Sequence, residues 1–349
     1  MTTQLSSSFT SFPCFSLSEV EKIVETHFGI RTKAHNLVGY SDQNLHLQDE
    51  KGNEYTLKIS HQNTQKNALI LQNTAISFLY GKVEGLCLPY IYPNKAGENI
   101  ISVEDEQGIS YFMRLLSWVK GSLWEHIFPH SIEVRRELGQ KLAKMDTLLQ
   151  DFTPPVSQNL SRKWDILNVI WVLDELNNIK NEADREIMIH FITNYQADIF
   201  PYIEVFRKGM IQNDANTFNI LVEYVDSTQK VVGLIDFGEL MESKVVCELA
   251  ISCAYLSMNY DNPLPIAAQI IKGFHSVFPL NDREMRAIFP LMANRAIISV
   301  MYSAINRKNG LKSDYLYVSE KPGWELLRKM RHISPEVAYT YFKEVIENE

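Results

Sequence analysis

Cysteine is scarce in this sequence, with four residues among 349. They are Cys14, Cys87, Cys247 and Cys253. They form no Cys-x-x-Cys pair, and none has a histidine at the spacing of a zinc ligand. This pattern argues against a disulfide scaffold and against a structural zinc site, and it favours reduced thiols in a cytoplasmic protein.

Basic charge and long apolar runs are also lacking. Lys and Arg number 34 against 42 Asp and Glu, so the net charge is −8 and no basic surface for nucleic acid or an anionic membrane is expected. The longest apolar candidate, residues 245–258, is interrupted by Glu248 and is shorter than the roughly 18 residues of a membrane span. Residues 1–15 are rich in Ser and Thr but lack the basic and apolar regions of a secretory signal.

Apolar content, at 45% of the residues, is sufficient for a large core, and the length suggests two domains or lobes. Before residue 116 the pattern is that of short strands and two helices. Strands are predicted at 32–38, 45–47, 55–59, 100–103 and 109–116, and helices at 18–27 and 67–80. Ser18 is the expected N-cap of the first helix.

After Gly121 the pattern becomes helical, with one β-like interruption that pairs 219–222 with 231–235. Helices are predicted at 132–149, 166–176, 187–206, 245–258, 266–278, 287–305 and 324–330. A strand-rich part joined to a helix-rich part predicts a two-lobe α+β fold of the protein-kinase type. The N-lobe is placed at 1–116, the C-lobe at 117–349 and the hinge at 116–121. Lys141 and Lys144 are expected on a solvated helix face.

The strongest chemical signal lies around the β-like interruption. Asp214 and Asn219 are separated by four residues, an apolar strand follows, and the next strand ends in Asp236-Phe237-Gly238. Phosphoryl transfer needs a carboxylate near the attacking hydroxyl and oxygen ligands for magnesium at the nucleotide phosphates. We therefore predict Asp214 as the catalytic base, with Asn219 and Asp236 as magnesium ligands. The alternative is a polar hairpin whose Asp and Asn residues only form turns.

Lys58 lies in the middle of an apolar strand, after a hairpin and before a helix, where kinases place the lysine that holds the α- and β-phosphates. Alone, such a lysine is more often on the solvated face of a strand, but the downstream motif favours the phosphate role. The turn at 39–44 would lie over the phosphates, although it is not a Gly-x-Gly-x-x-Gly loop. Many kinases pair this lysine with a helix glutamate, and Gln72 stands at the matching place.

Together these motifs resemble the aminoglycoside phosphotransferase and choline kinase superfamily. Within it, the chain most resembles the hydroxylysine kinase group and the phosphotransferase domains fused to aminotransferases. The resemblance covers almost the whole chain. The catalytic loop of the family reads approximately His-Gly-Asp-x4-Asn, which Asp214 and Asn219 match, whereas Gln212 and Asn213 replace the usual His and Gly.

The resemblance also implies roles for residues outside the catalytic loop. Residues 39–44 resemble the phosphate loop of the subgroup, which implies nucleotide contacts for Asp42 and Asn44. Residues 114–121 resemble the hinge, which implies that the backbone at Ser117 and Val119 meets the nucleobase. The residues at 164–165 and the tail at 315–324 match landmarks of the subgroup that have no assigned role.

Aromatic and acidic residues of the second half are candidates for recognising an amine-bearing substrate. Trp164, Trp171 and Tyr255 could contribute to an aromatic cage for an ammonium group, although such aromatics are more often part of the core. Asp165, Glu239 and Glu242 could pair with the ammonium. Each is more often a surface or capping residue, except Glu239, which directly follows the Asp-Phe-Gly tripeptide and is expected to face the cleft.

The sequence thus predicts a small-molecule kinase that uses Mg²⁺ and ATP or GTP. The expected acceptor is the hydroxyl of a small amino alcohol or hydroxy-amino acid, with hydroxylysine favoured. A catalytically weak nucleotide-binding pseudokinase or scaffold is the alternative, supported by Gln212, Asn213 and Gln72. A protein kinase is disfavoured because an Ala-Pro-Glu segment and a long activation loop are absent. No nucleic acid or membrane partner is expected, and the oligomeric state stays open.

Overall fold

The computed structural model describes residues 12–156, 164–311 and 313–348. Most of the Ser- and Thr-rich start therefore lies outside the described residues, and the prediction of no secretory signal there stays a prediction. The chain divides into two compact units. One contains the described residues up to Tyr80, Leu88–Val119 and 154–156, and the other contains Gly81–Cys87, Lys120–Thr153 and the described residues from Trp164 onward.

The first unit is built around a six-stranded antiparallel sheet. Its strands are β1 (Thr32–Leu37), β2 (Gln43–Asp49), β3 (Glu54–Ile59), β4 (Ile91–Tyr92), β5 (Ile101–Glu104) and β6 (Ser110–Ser117). The order is β1-β2-β3-β6-β4, and β5 pairs with β6. The five predicted strands are all present, with ends shifted by no more than two residues. The short β4 was not predicted.

Alternation of apolar and polar residues explains the sheet. In β3, Tyr55, Leu57 and Ile59 are buried, while Thr56 and Lys58 are only half-buried. Successive side chains of a strand point to opposite faces, so one face of β3 enters the core and the other carries Lys58.

Two helices complete the first unit, α1 (Leu17–Phe28) and α2 (Lys66–Leu79). The predicted N-cap at Ser18 is wrong, because the cap is Ser16. The Ser16 hydroxyl accepts the Glu19 N–H at 3.3 Å, and the Glu19 carboxylate accepts the Ser16 N–H at 2.7 Å. Ser16 and Ser18 each have a glutamate three residues later, Glu19 and Glu21, so a capping box is possible at either serine. The carboxylate of Glu21 instead accepts the Ala34 N–H of β1 at 3.1 Å. The helix then buries Val20 and Val24 in the core of the unit.

The second unit is mainly helical. Its described α-helices are α3 (Ile132–Leu149), α4 (Glu182–Asp198), α5 (Val246–Ser257), α6 (Pro263–His275), α7 (Asp282–Lys308), α8 (Glu320–Met330) and α9 (Pro335–Glu347). Prediction gave the bounds of α3 correctly and missed α9. The helix predicted at 166–176 is instead a run of 3₁₀ turns, Ile166–Asn178, with a non-helical Asn168. The segment at 187–206 is divided, because Pro201 lacks the N–H that would continue α4 and a 3₁₀ turn, Phe200–Val205, follows.

Two small sheets interrupt these helices. Strands β7 (Ser122–Leu123), β9 (Ile220–Val225) and β10 (Thr228–Leu234) form one, and β8 (Lys208–Ile211) pairs with β11 (Met241–Lys244) in the other. The prediction of a single β-like interruption is therefore wrong, because it omits the four-residue strands β8 and β11. These strands hold the loop at 212–219 between β8 and β9, and the loop at 235–240 between β10 and β11.

The core of the second unit contains α7, which is long and apolar enough to cross a membrane by length and composition alone. Of its most apolar window, 89% is buried inside the protein, and Ala293, Ala296 and Ile297 are fully enclosed. A single buried helix of this kind is typical of the core of a soluble protein. All four cysteines are free thiols, in agreement with the prediction.

Lys141 is not on a solvated face, so that prediction is wrong for Lys141, although Lys144 is exposed. Lys141 is 7% exposed, and its ammonium group donates to the carbonyl oxygens of Gly85 and Val231 and pairs with Glu137 at 3.0 Å. Three acceptors at the end of a buried aliphatic stem compensate for desolvation of the charge.

Helices α3 and α6 approach closely because each has a glycine at the contact. A Cβ atom at Gly139 would collide with the backbone of Ile270, and one at Gly273 would collide with the backbone of Arg136. Neither neighbour can rotate away, since both are main-chain atoms inside helices.

We expect Gly139→Ala to destabilise the protein by about 2 kcal/mol or more, as is typical of overpacking, despite the higher helix propensity of alanine. Denaturant unfolding measures this change, and Lys144→Ala on the exposed face of the same helix is the control. Equal stability of the two variants would contradict a close α3–α6 approach.

Candidate active site

The predicted catalytic residues lie in two adjoining loops of the second unit. Asp214 and Asn219 are on the loop between β8 and β9, and Asp236 follows β10. The loops are joined where the Ile235 N–H donates to the Asn219 carbonyl oxygen at 2.9 Å. The β9–β10 hairpin therefore brings Asn219 and Asp236 to one end, which is the juxtaposition that the sequence predicts.

Asn219 is bonded to Asp214 through its amide nitrogen. Nδ2 donates to the main-chain oxygen of Asp214 at 2.9 Å and to its carboxylate Oδ2 at 2.8 Å. Since the NH₂ group faces Asp214, the amide oxygen points elsewhere. One side chain can thus orient the carboxylate and still offer an oxygen to a hard cation.

Gln212 joins the two loops. Its Oε1 accepts the Asp214 N–H at 2.8 Å, and its Nε2 donates to the main-chain oxygen of Asp236. A neutral histidine, the usual residue here in the resembling family, also offers one acceptor and one donor. The glutamine therefore preserves the hydrogen-bonding capacity of the residue it replaces.

Asn213 likewise fits a place where the resembling family has glycine. Its φ is 67°, in the left-handed region that glycine occupies freely and that asparagine visits more readily than most other residues. Its N–H donates to Oε2 of Glu248 at 2.8 Å.

Asp236 also has a positive φ, of 58°. The Gly238 N–H donates to its Oδ1 at 2.9 Å, so the second loop turns tightly around the carboxylate.

Glu248, on α5, supports the catalytic loop and was not predicted as a site residue. It is fully buried, and burial raises its pKa to about 7 against the opposing N–H groups of Asn213 and Gln212. Asp146 of α3 is also buried, and its carboxylate oxygens have no hydrogen-bond partner among the described residues. Burial and the charge of Glu248 raise the pKa of Asp146 well above its usual range. The lone Glu248 inside an apolar run was the signal that could have found this pair.

Arg295, on α7, is the second residue that prediction missed. Its Nη2 donates to Asp214 Oδ1 at 2.6 Å, and its Nε donates to the Tyr255 hydroxyl at 3.0 Å. The guanidinium carbon lies 4.8 Å from the ring centroid of Trp164 and 4.9 Å from that of Tyr255. An arginine at the centre of a predicted apolar helix was the available signal, because buried charges need partners.

The carboxylate of Asp214 is buried but not closed off. Burial raises its pKa to about 6, the positive charge of Arg295 opposes that rise, and the negative charge of Asp236 adds to it. The side chain nevertheless keeps 21% of its surface accessible. Asp214 is thus a carboxylate of raised basicity with an accessible edge, which suits it to accept a proton.

The residues predicted to contact substrate lie in different settings. Trp164 and Tyr255 already face the guanidinium of Arg295. Asp165 is buried and caps the 3₁₀ run by accepting the Leu167 N–H at 3.0 Å. Glu239 is half-buried, and its negative charge acts on Arg295. Their roles toward a substrate stay predictions.

The tail segment at 315–324, which has no assigned role, also contributes a residue to this region. Tyr315 follows α7 on a 3₁₀ turn, Asp314–Tyr317, and its ring lies 5.6 Å from the ring of Phe218 in the catalytic loop. Burial raises the pKa of its hydroxyl, and the negative charges of Asp214 and Asp236 contribute. Tyr315 therefore forms part of the wall near the two carboxylates.

The predicted nucleotide-binding residues all belong to the first unit, and half of them, Asn44, Lys58 and Ser117, are on strands of its sheet. Lys58 on β3 is paired in register with Asn44 on β2 and with Arg114 on β6. Residues opposite each other in antiparallel strands share a face, so Lys58 and Asn44 are neighbours. Arg114 is buried and donates to Asn73 of α2 at 2.9 Å.

The remaining predicted residues of the first unit have defined positions. Asp42 accepts the His61 N–H at 3.0 Å, which fixes the turn before β2. Gln72 is buried on α2, and Val119 is buried at the end of the unit. The Ser117 N–H donates to Tyr90 at 2.8 Å, so a nucleobase contact of Ser117 would have to use its carbonyl oxygen.

Solved structures share this architecture. An amicoumacin kinase in complex with AMP-PNP and Ca²⁺ has a TM-score of 0.67 at 12% identity, over 90% of this chain and 94% of its own. A microcompartment-associated aminopropanol kinase has a TM-score of 0.66 at 12% identity, over 94% and 98%. The fold is therefore the protein-kinase-like α+β fold that the sequence predicts.

Sequence comparison gives the family. The phosphotransferase enzyme family (APH) matches residues 35–288. Hydroxylysine kinase of Mus musculus is 28% identical over 341 residues, covering 91% of this chain and 90% of the relative. Hydroxylysine kinase of Bos taurus is 27% identical over 339 residues, with the same coverage. The chain belongs to the phosphotransferase enzyme family and is a small-molecule kinase that acts on alcohol groups.

Gln212 provides a test of the loop geometry. We expect Gln212→Ala to lower turnover and to destabilise the protein by about 1–3 kcal/mol, because it leaves buried polar groups unpaired. Gln212→His should retain most of both properties. The matched control is Gln229→Ala, which removes a buried glutamine that bonds Ser131 and Pro129 and should cost stability alone. Parental turnover in Gln212→Ala would contradict the bridging role.

Proposed function

We propose that this kinase transfers the γ-phosphate of ATP or GTP to a hydroxyl of a small amine-bearing molecule, with a hydroxylysine-like amino alcohol as the favoured acceptor. The observation that most directly supports this proposal is the environment of the Asp214 carboxylate. Arg295 and Asn219 fix its two oxygens, its pKa is raised to about 6, and part of its surface stays accessible.

In this proposal Asp214 orients the acceptor hydroxyl and accepts its proton as the bond to phosphorus forms. A base whose pKa is close to the working pH is mostly ionised and still binds a proton well, which is the condition for effective general-base catalysis. Asn219 keeps one oxygen in place, so the accessible edge of the carboxylate faces a constant direction.

Magnesium would be held by Asn219 and Asp236. No cluster of three or more His, Cys, Asp or Glu side chains suitable for a metal occurs within 12–156, 164–311 and 313–348. Magnesium at a nucleotide needs fewer protein ligands, because phosphate oxygens and water complete its octahedron. An amide oxygen turned away from Asp214 and a carboxylate held by Gly238 fit that donor set. The ion would neutralise charge on the phosphates.

The nucleotide phosphates would be bound by Lys58, with Asp42 and Asn44 on the preceding turn and strand. Asn44 Oδ1 is buried with no hydrogen-bond partner among the described residues, so the position has a polar group that a nucleotide or its bound water could satisfy. Gln72 would support Lys58, and the backbone of Ser117 and Val119 would meet the base.

The acceptor assignment has two supports. The relatives at 27–28% identity are named hydroxylysine kinases and match nearly the full length of the chain. Glu239 provides a carboxylate beside the Asp-Phe-Gly tripeptide that could pair with a substrate ammonium, and Trp164 and Asp165 are further candidates. A small hydroxy-amino acid of the cytoplasm is the kind of substrate we infer.

We expect Asp214→Asn to lower turnover by roughly 10²–10⁴-fold, the usual effect of losing a general base. Nucleotide affinity should barely change, because this carboxylate faces the acceptor. Steady-state kinetics and a nucleotide titration measure the two quantities. Near-parental turnover with an intact fold would show that Asp214 is not the base.

Nucleotide binding should depend on magnesium through Asp236. We expect Asp236→Ala to abolish magnesium-dependent binding and Asn219→Ala to weaken it less, because the amide is a neutral ligand. Calorimetric titration with and without magnesium measures this, and Glu223→Ala, an exposed residue on β9, is the control. Binding in both variants equal to that of the parent would exclude the proposed metal site.

The acceptor is tested by comparing kcat/KM for hydroxylysine, ethanolamine, choline, homoserine and an aminoglycoside under one set of conditions. We expect hydroxylysine to be preferred. Preference for choline, whose ammonium cannot donate a hydrogen bond, would indicate an aromatic cage in place of Glu239. Firm nucleotide binding without transfer to any of these acceptors would favour a pseudokinase.

A further inference from the structure

We propose that Arg295 is a positioning residue for phosphoryl transfer. Arg295 fixes the Asp214 carboxylate so that the accessible edge of the carboxylate faces the acceptor hydroxyl. This inference rests on the proposed role of Asp214 as catalytic base. It assigns a task to a residue outside the motifs that carry the family resemblance.

The geometry at Asp214 supports this role. Arg295 Nη2 donates to Oδ1 at 2.6 Å, and Asn219 Nδ2 donates to Oδ2 at 2.8 Å. Rotation of a carboxylate about its last bond is soft, so one donor would leave its orientation broad. Two donors on opposite oxygens define it, and the arginine bond is the stronger because both partners are charged.

Arg295 is itself held firmly. Its side chain is 2% exposed, and its Nε donates to the Tyr255 hydroxyl at 3.0 Å. That hydroxyl is also bonded to Ser299 Oγ at 3.0 Å, one turn further along α7. Trp164 and Tyr255 place their rings against the guanidinium. The guanidinium of Arg295 is therefore held in place on a buried helix by residues outside the loop that contains Asp214.

Two other readings of the same contacts make different predictions. A purely structural ion pair would affect stability and leave the chemical step alone. A guanidinium that binds a carboxylate of the acceptor would act mainly on the acceptor KM. We favour positioning because the shortest hydrogen bond of Arg295, at 2.6 Å, is to the carboxylate of the proposed base.

A double-mutant cycle of Asp214→Asn and Arg295→Met distinguishes these readings. Arg295→Met should lower kcat roughly 10²-fold, the cost of a misplaced catalytic group, with the nucleotide and acceptor KM values nearly unchanged. In the Asp214→Asn background the same substitution should add little further loss, because residues that act as a unit are not additive. Hydroxylysine and ATP with magnesium are the substrates.

Two further variants keep the test decisive. Arg207→Met removes an arginine that pairs with buried Glu284 of α7, so it should lower stability and leave kcat unchanged. Arg295→Lys keeps the charge without the planar fork and should recover part of kcat. If Arg295→Met does not fold, Arg295→Lys is compared in both backgrounds, and its loss of kcat should again disappear in Asp214→Asn.

Different results would contradict the positioning role of Arg295 and the proposed base. Parental kcat in the Arg295 variants, an equal loss in both backgrounds, or a loss confined to the acceptor KM would each overturn the positioning role and leave the proposed base intact. Parental turnover in Asp214→Asn would overturn both the proposed base and the role of Arg295.

Discussion

A carboxylate buried inside the helical unit is the constraint on which the rest of the site depends. Desolvation makes an ionised Asp214 costly, so its oxygens need donors. Arg295 provides a charged donor from α7, and Asn219 provides a neutral one from the same loop. Tyr255 and Trp164 then have to enclose the arginine, and α7 has to be buried to present it. Residues of α5, of α7 and of the segment before the 3₁₀ run thus act together to stabilise this one charge.

The departures from the usual catalytic loop preserve its physical chemistry. Gln212 offers the acceptor and donor that a neutral histidine would offer, and it joins the main chains at Asp214 and Asp236. Asn213 adopts the left-handed conformation that glycine would adopt. Two of the three sequence features that suggested a pseudokinase, Gln212 and Asn213, are therefore compatible with an active loop. Beneath that loop, Glu248 and Asp146 form a buried carboxyl pair in which burial favours the protonated forms.

The sequence predicted the two-part α+β architecture well because local periodicity carried it. Strand alternation gave the sheet of the first unit, and α3 was correct in both bounds. The strands β8 and β11 were missed because each has only four residues, too few to show an alternation of apolar and polar side chains. Arg295 and Glu248 were missed for another reason. Each is far in sequence from the residues it contacts, so only the packing of α5 and α7 brings them to the loop.

The central claim is that this fold and site transfer a phosphoryl group to the hydroxyl of an amine-bearing acceptor. The most direct measurement is mass spectrometry of hydroxylysine after incubation with the parent protein, ATP and magnesium. The account predicts a product that carries one added phosphoryl group as a phosphoester on the hydroxyl, formed only with magnesium present. A protein that binds the nucleotide firmly but leaves hydroxylysine and the other amino alcohols unmodified would contradict it.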